Sequence, residues 1–296
     1  MNSSTDQQRE DEAVAARFAR LKERPVAISV QNLTKTFDCA RGQITALKNV
    51  SFEVHKREFL CVIGASGCGK STLVRILAGL ETATSGTLSV HGEAITGTCP
   101  DRGMVFQGYT LFPWLTVKEN VMFGPRRAGK TFFGAESGAR EWIELVGLSK
   151  FENSYPHQLS GGMKQRVAIA RALANQPRVL FMDEPFGALD SQTRANMQSY
   201  LLDIWKNVDI TIVFITHDLD EAVFLADRIL VLDPNPGRVR ELVEVPVPRP
   251  RHLSQAADAR FVATRRHIEQ LIHPPDRAAK ENFPVLRMAL ADPDIL

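Results

Sequence analysis

The nine residues Gly64-Ala65-Ser66-Gly67-Cys68-Gly69-Lys70-Ser71-Thr72 match the spacing G-x-x-x-x-G-K-S and carry the strongest chemical signal in the chain. Three glycines let the backbone wrap an anion, and the N–H groups from Gly67 to Thr72 turn inward at the start of a helix. Lys70 adds a full positive charge suited to the β and γ oxygens of a triphosphate, and Ser71 a hydroxyl suited to Mg²⁺. Four fixed positions alone arise by chance in about one chain in a hundred, so the flanks decide. Here the apolar run EFLCVI precedes the loop and the helical pattern STLVRILAGL follows it, as a phosphate loop requires.

Val179-Leu180-Phe181-Met182-Asp183-Glu184 reads as an apolar strand ending in two acids. Beside a phosphate loop, Asp183 is placed to hold Mg²⁺ through water, and Glu184 to orient a water for in-line attack on a γ-phosphate. Acids also end strands for solubility, so the pair gains its meaning from the loop. A third element, Leu159-Ser160-Gly161-Gly162-Met163-Lys164-Gln165, opens a helix. Its small residues, exposed N–H groups and helix N-terminus repeat the anion-binding device, although Ser and Gly also start ordinary helices.

Ser160-Gly161-Gly162-x-x-Gln165, the phosphate loop, Gln107, Asp183-Glu184, Asp190 and His217 occur in the order and spacing of the ATP-binding-cassette ATPases, which this chain resembles over roughly residues 26–250. The resemblance implies an α/β fold: a P-loop NTPase (RecA-like) core with a mixed, mostly parallel sheet, an antiparallel β subdomain, and an inserted α-helical subdomain at about 108–165. Residues 1–25 and 251–296 would be extensions, the second with one helix. It further implies ATP and Mg²⁺ as ligands. In that family the serine-glycine signature of one subunit closes on the nucleotide of the other, so one motif set predicts dimerisation.

Carried over position by position, the nucleotide contacts are Gly64 to Thr72, Phe37, Ser160, Gly161, Gly162, Gln165 and Asp190, the last bridging the two subunits. The Mg²⁺ set is Ser71, Gln107 and Asp183. Glu184, His217 and Gln107 form the catalytic set, with Gln107 reaching the metal and the lytic water and His217 the γ-phosphate. Phe37 stands where the family often has a tyrosine that stacks on adenine. It keeps the ring and loses the hydroxyl, and a packed strand-edge aromatic is the competing reading. The histidines at 55, 91, 157, 252, 267 and 273 have no such setting and read as surface or packing residues.

The stretch Phe106 to Val117, together with Tyr155-Pro156-His157-Gln158 and Phe-Gly-Ala-Leu-Asp at 186–190, is similar to bacterial importers of the nitrate, sulfonate and taurine group. In such importers this surface receives a short permease helix. Phe112 and Trp114 would anchor it, or else form part of a core cluster. The implied partners are an identical or paired ATPase subunit, transmembrane permease subunits and, indirectly, an extracytoplasmic solute-binding protein, at the cytoplasmic face of the inner membrane. Other readings are an importer subunit for another nitrogen or sulfur nutrient or a thiamine precursor, or a non-transport ATPase of the same superfamily. A small-molecule kinase explains Gly64 to Thr72 but leaves the signature and Asp183-Glu184 without purpose.

The elements that must position these groups follow from the remaining pattern. With 36 Lys+Arg against 34 Asp+Glu in 296 residues, the net charge of +2 gives no basic field for nucleic acid. Cys39, Cys61, Cys68 and Cys99 lack CxxC spacing, which fits a reducing compartment. No apolar run reaches the ~18 residues of a membrane span. Val14, Phe18 and Leu21 share one helical side ahead of Pro25, in a helix over 9–23 or a frayed extension. The clusters AISV, SFEV, EFLCVIG, GTLSV and GMVFQ read as strands, 135–146 as a helix that Gly147 ends, and VLFMD, TIVFITH and RILVLD as buried parallel strands. Phe261, Ile268, Leu271 and Ile272 predict a last helix closed by the HisProPro run at 273–275.

Overall fold

The computed structural model describes residues 3–40 and 42–273. Its first helix, α1 (Ser3–Glu23), is longer than the apolar spacing predicts, yet it buries the same three side chains, Val14, Phe18 and Leu21. It is not frayed, because Arg17 donates to the carbonyls of Val245 at 2.6 Å and Val247 at 2.9 Å, fastening it to the other end of the chain. Strands β1 (Val26–Cys39) and β2 (Gly42–His55) then pair antiparallel. Strand β3 (Phe59–Gly64), buried along its whole length, leads through the glycine loop into α2 (Lys70–Leu77). Strands β4 (Ser85–Val90) and β5 (Glu93–Ala94) complete an antiparallel sheet in the order β2-β1-β4-β5, the expected β subdomain.

Strand β6 (Arg102–Val105) precedes three helices, α3 (Val117–Arg127), α4 (Phe132–Leu145) and α5 (Gly161–Leu173). These pack around a core of their own, including Val121, Ala139, Ile143, Val167 and Ala170, which is the inserted helical subdomain. Thr116 and Glu119 form a reciprocal cap at the start of α3, satisfying backbone N–H groups that the helix leaves free. Gly147, at φ +67°, follows α4 as the sequence requires of its end.

The rest alternates: β7 (Val179–Asp183), α6 (Ser191–Asn207), β8 (Thr211–Ile215), α7 (Leu219–Leu225), β9 (Arg228–Asp233), β10 (Arg238–Glu244) and α8 (Ala259–Ile272). A six-stranded sheet results, ordered β10-β9-β3-β8-β7-β6, in which only the β10–β9 pairing is antiparallel. Both faces are covered, so its strands are continuously apolar and their alternation divides two cores. Phe59, Cys61 and Ile63 enter one core with Met182, Phe214 and the helices α5 to α8. Leu60 and Val62 enter the other with Phe181, Val213, α2 and the antiparallel sheet. In α8, Phe261 and Ile268 are buried and Leu271 and Ile272 partly so. Residues 274–296 of the C-terminal extension lie outside the described residues.

Where β3 begins, Glu58 is 0% exposed and takes Arg228 through two hydrogen bonds, 2.7 Å from Nε and 2.8 Å from Nη2. Burial pushes its carboxyl up, and the guanidinium hydrogen bonds oppose that. The pair sets the β3–β9 register, since Leu60 stands opposite Arg228. Glu58→Ala strands a buried guanidinium and is expected to cost about 3–5 kcal/mol in denaturant unfolding. Replacing both members by apolar residues of similar volume should recover most of that loss, and a double variant as unstable as the single one would contradict this account.

Candidate functional site

Strand β8 lies between β3 and β7, so all three end at the same edge of the sheet. The phosphate loop follows β3, Glu184 follows β7 and Thr216-His217 follow β8, with Asp183 in register with Ile215. They converge on a cavity of about 430 Å³. Ser66, Gly67, Gly69, Lys70, Ser71 and Thr72 line one side of it, and Glu184 and His217 the other.

Gly69 caps α2 in the left-handed region at φ +93°, where a Cβ would lie 2.7 Å from Leu47 Cδ2 and 3.0 Å from the Ala46 carbonyl. Only glycine fits there, and the turn presents the first N–H groups of α2 to the cavity. Lys70 is curled over the loop, its Nζ donating to the carbonyls of Gly64 at 2.8 Å and Ala65 at 3.1 Å. Cys68 is buried in the same loop, and burial raises its thiol pKa.

Ser71 Oγ donates to Asp183 Oδ1 at 3.0 Å. Burial raises the Asp183 carboxyl, Ser71 opposes the shift and the neighbouring Glu184 adds to it. A hydroxyl and a carboxylate side by side at a phosphate cavity are hard oxygen donors and fit Mg²⁺, which takes few protein ligands and completes its shell with water and phosphate. Glu184 occupies the left-handed region at φ +44°, unusual for a residue with a side chain. Its N–H donates to the Ile215 carbonyl at 3.1 Å, and its Oε2 lies 3.1 Å from His217 Nδ1. The backbone turn thus aims a carboxylate, steadied by the imidazole, across the cavity from Lys70.

Other sequence-selected residues lie apart from this cavity. Gln107, exposed, follows β6 two residues past its end, at the same sheet edge but outside the cavity lining. Phe37 is half-buried on β1 with Lys35 Nζ 4.6 Å from its ring centroid, so a cation already occupies one approach to the aromatic system. Ser160 caps α5, accepting from the Met163 N–H at 3.4 Å, and is exposed. Gly161 and Gly162 are the first two residues of that helix, and a Cβ at Gly162 would meet Thr193 Cγ2 at 2.6 Å. Asp190 is exposed and caps α6, and hydrogen bonds from Thr193 hold its carboxyl below the usual range.

Gln165 departs from expectation. It is 0% exposed, and neither its Nε2 nor its Oε1 has a hydrogen-bond partner. Helical spacing explains the burial: three and four residues on, Ala168 and Ile169 pack into the sheet core, so position 165 points inward.

On the helical subdomain Trp114 is 70% exposed, resolving the choice against a core cluster. Phe112 lies between it and Phe123 with its ring tilted to both, ring centroids 5.6 Å and 4.5 Å away. Trp114, Met122, Phe123, Arg126 and Phe132 line a groove of about 670 Å³. The residues that build its rim escaped the sequence reading. Asn120, fully buried, accepts from the Phe112 N–H and donates to three carbonyls, while Arg171 donates to the Thr110 carbonyl at 2.7 Å. An Asn three residues into a helix whose N-cap is already satisfied was the available signal.

Residues 47–187 match the family model described as ABC transporter. The nitrate import ATP-binding protein NrtD of Synechocystis is 50% identical over 221 residues, covering 75% of this chain and 83% of that protein. The aliphatic sulfonates import ATP-binding protein SsuB of Bacillus cereus is 44% identical over 226 residues, covering 76% and 89%. A dimeric bacterial ABC transporter cassette, MJ0796, superposes with a TM-score of 0.66 at 34% identity, covering 73% of this chain and 98% of the other. With the glycine cradle, the Ser71–Asp183 pair and the Glu184–His217 pair gathered at one sheet edge of the same fold, the chain belongs to the ABC transporter ATP-binding family.

Proposed function

We propose that the chain is the ATP-hydrolysing subunit of an importer for a small anion of the nitrate or sulfonate kind, acting as a pair of cassettes beneath a permease. The convergence of a phosphate cradle and an aimed carboxylate on one cavity carries this reading. The α2 N–H groups and Lys70 bind the triphosphate. Glu184 orients the attacking water in line with the γ-phosphate, and His217, hydrogen-bonded to Glu184, contacts the γ-phosphate. Ser71 and Asp183 would hold Mg²⁺, which when bound compensates charge on the β and γ oxygens. Gln107 would join these groups once the helical subdomain moves toward the sheet edge.

Ser160, exposed, and Gly161, half-buried, lie outside this cavity on the same chain. A second copy brings them to the nucleotide, with Asp190 at the seam. Phe37 would offer its remaining ring face to adenine. The relatives' printed roles in nitrate and sulfonate import support the solute class, and the Trp114 groove supports docking of a short permease helix. No helix among the described residues is long and apolar enough to cross a membrane.

Three outcomes test this reading. Lys70→Ala removes the charge from the cradle, and titration calorimetry with ATP should show affinity weakened at least about tenfold, since hydrogen bonds to charged groups contribute about 1.5–3 kcal/mol. Glu184→Gln should keep nucleotide binding while turnover falls by about 10²–10⁴, and normal hydrolysis would remove the glutamate from its assigned role. Trp114→Ala removes an exposed aromatic anchor. Assembly with the permease should weaken by about 2 kcal/mol and uptake should fall, while ATP binding by the isolated subunit stays unchanged.

A further inference from the structure

The first turn of α6 touches two loops of the site, and one side chain joins them. Arg194 Nη2 donates to the Leu189 carbonyl at 3.0 Å, on the loop that runs from Glu184 to Asp190. Its Nη1 donates to Asp218 Oδ2 at 3.4 Å, on the residue that follows His217. Asp218 is itself fixed twice: its N–H donates to Thr216 Oγ1 at 3.0 Å, and its Oδ1 accepts from the Glu221 N–H at 3.0 Å, capping α7. The Nε of Arg194 is buried without a partner. A freely placed surface arginine would keep all five donors in water, so its position is dictated by the two Nη contacts.

We propose that Arg194 is a positioning residue that locks the His217 turn to the Glu184–Asp190 loop and so sets the geometry between His217 and Glu184. Those two side chains come from different strand ends, and no backbone hydrogen bond joins position 217 to 184; the Glu184 N–H reaches only Ile215. The guanidinium fork supplies the missing tie. It also stands at a junction, because its neighbour Thr193 bonds to Asp190 and packs on Gly162 of the signature helix. A second copy that engages Asp190 and the signature would thereby act on the His217 turn through the first turn of α6. Arg194 touches no reacting atom in this role.

The inference rests on Glu184 and His217 acting on the γ-phosphate, so Glu184→Gln is measured alongside. In the full chain, Arg194→Ala should lower kcat roughly ten- to a hundredfold, with KM for MgATP and the calorimetric ATP affinity within twofold, since small misplacements cost rate more than binding. Arg194→Lys keeps the charge and loses the fork, and should recover less than half of the rate. Guanidinium at millimolar concentration should partly restore Arg194→Ala and leave Arg194→Lys unchanged. Asp218→Asn keeps the helix cap and loses the charge. Combined with Arg194→Ala, it should slow the enzyme no further. A normal kcat in Arg194→Ala beside an inactive Glu184→Gln would overturn this inference alone. So would a rate loss matched by weaker ATP binding and a lower melting temperature, or additive losses in the double variant. An active Glu184→Gln would instead overturn the underlying reading.

Discussion

The site exists because three neighbouring parallel strands end together. With β8 hydrogen-bonded between β3 and β7, the segments that follow Gly64, Asp183 and Ile215 leave the sheet within reach of one another. A slip of one residue in any of these registers would reverse which side chains face each core and move Asp183 away from Ser71. The register is held by continuous apolar runs interdigitating on both faces and by the buried Glu58–Arg228 pair at the far end of β3. Packing far from the phosphate cavity therefore sets its geometry to within a hydrogen-bond length.

Function asks the chain to hold locally unfavourable arrangements against that rigid edge. Glu184 adopts left-handed backbone, and Gly69 does the same beneath a close contact with Leu47. Gln165 buries an amide with no partner on the helix that begins at Gly161. The left-handed Glu184 and the unpartnered Gln165 amide each disfavour the isolated chain by an amount of order 1–3 kcal/mol, whereas Gly69 adopts its φ without steric cost. The helical subdomain, with a core separate from the sheet, is joined to it mainly through α5 and β6. It carries both the aromatic groove and the Ser160-Gly161-Gly162 helix start.

The two extensions brace one another at the opposite edge. Arg260 of α8 pairs with Asp258 and with Glu10 and Asp11 of α1, while Arg17 reaches across to the chain after β10. Arg251 is buried against the last carbonyls of α7, where a cation suits the helix C-terminus, and burial lowers its pKa. These contacts tie α1 to the segment after β10 and hold α7, the helix that begins just after His217.

The sequence by itself determined the chemistry and most of the elements. The phosphate loop, the acidic strand end, the signature and the mostly parallel sheet follow from local patterns, because glycine geometry, strand alternation and helix spacing are properties of neighbouring residues. Only the tertiary structure decided which polar side chains reach the cavity. The burial of Gln165 depends on how α5 lies on the sheet, and Gln107 lies outside the cavity lining because its position depends on how two subdomains are set. The choice between anchor and core for Trp114, and the parts played by Asn120 and Arg194, rest on contacts between residues far apart in the chain. Those contacts leave no short-range period in the sequence, since a side chain's partner across the fold is fixed by packing and not by spacing.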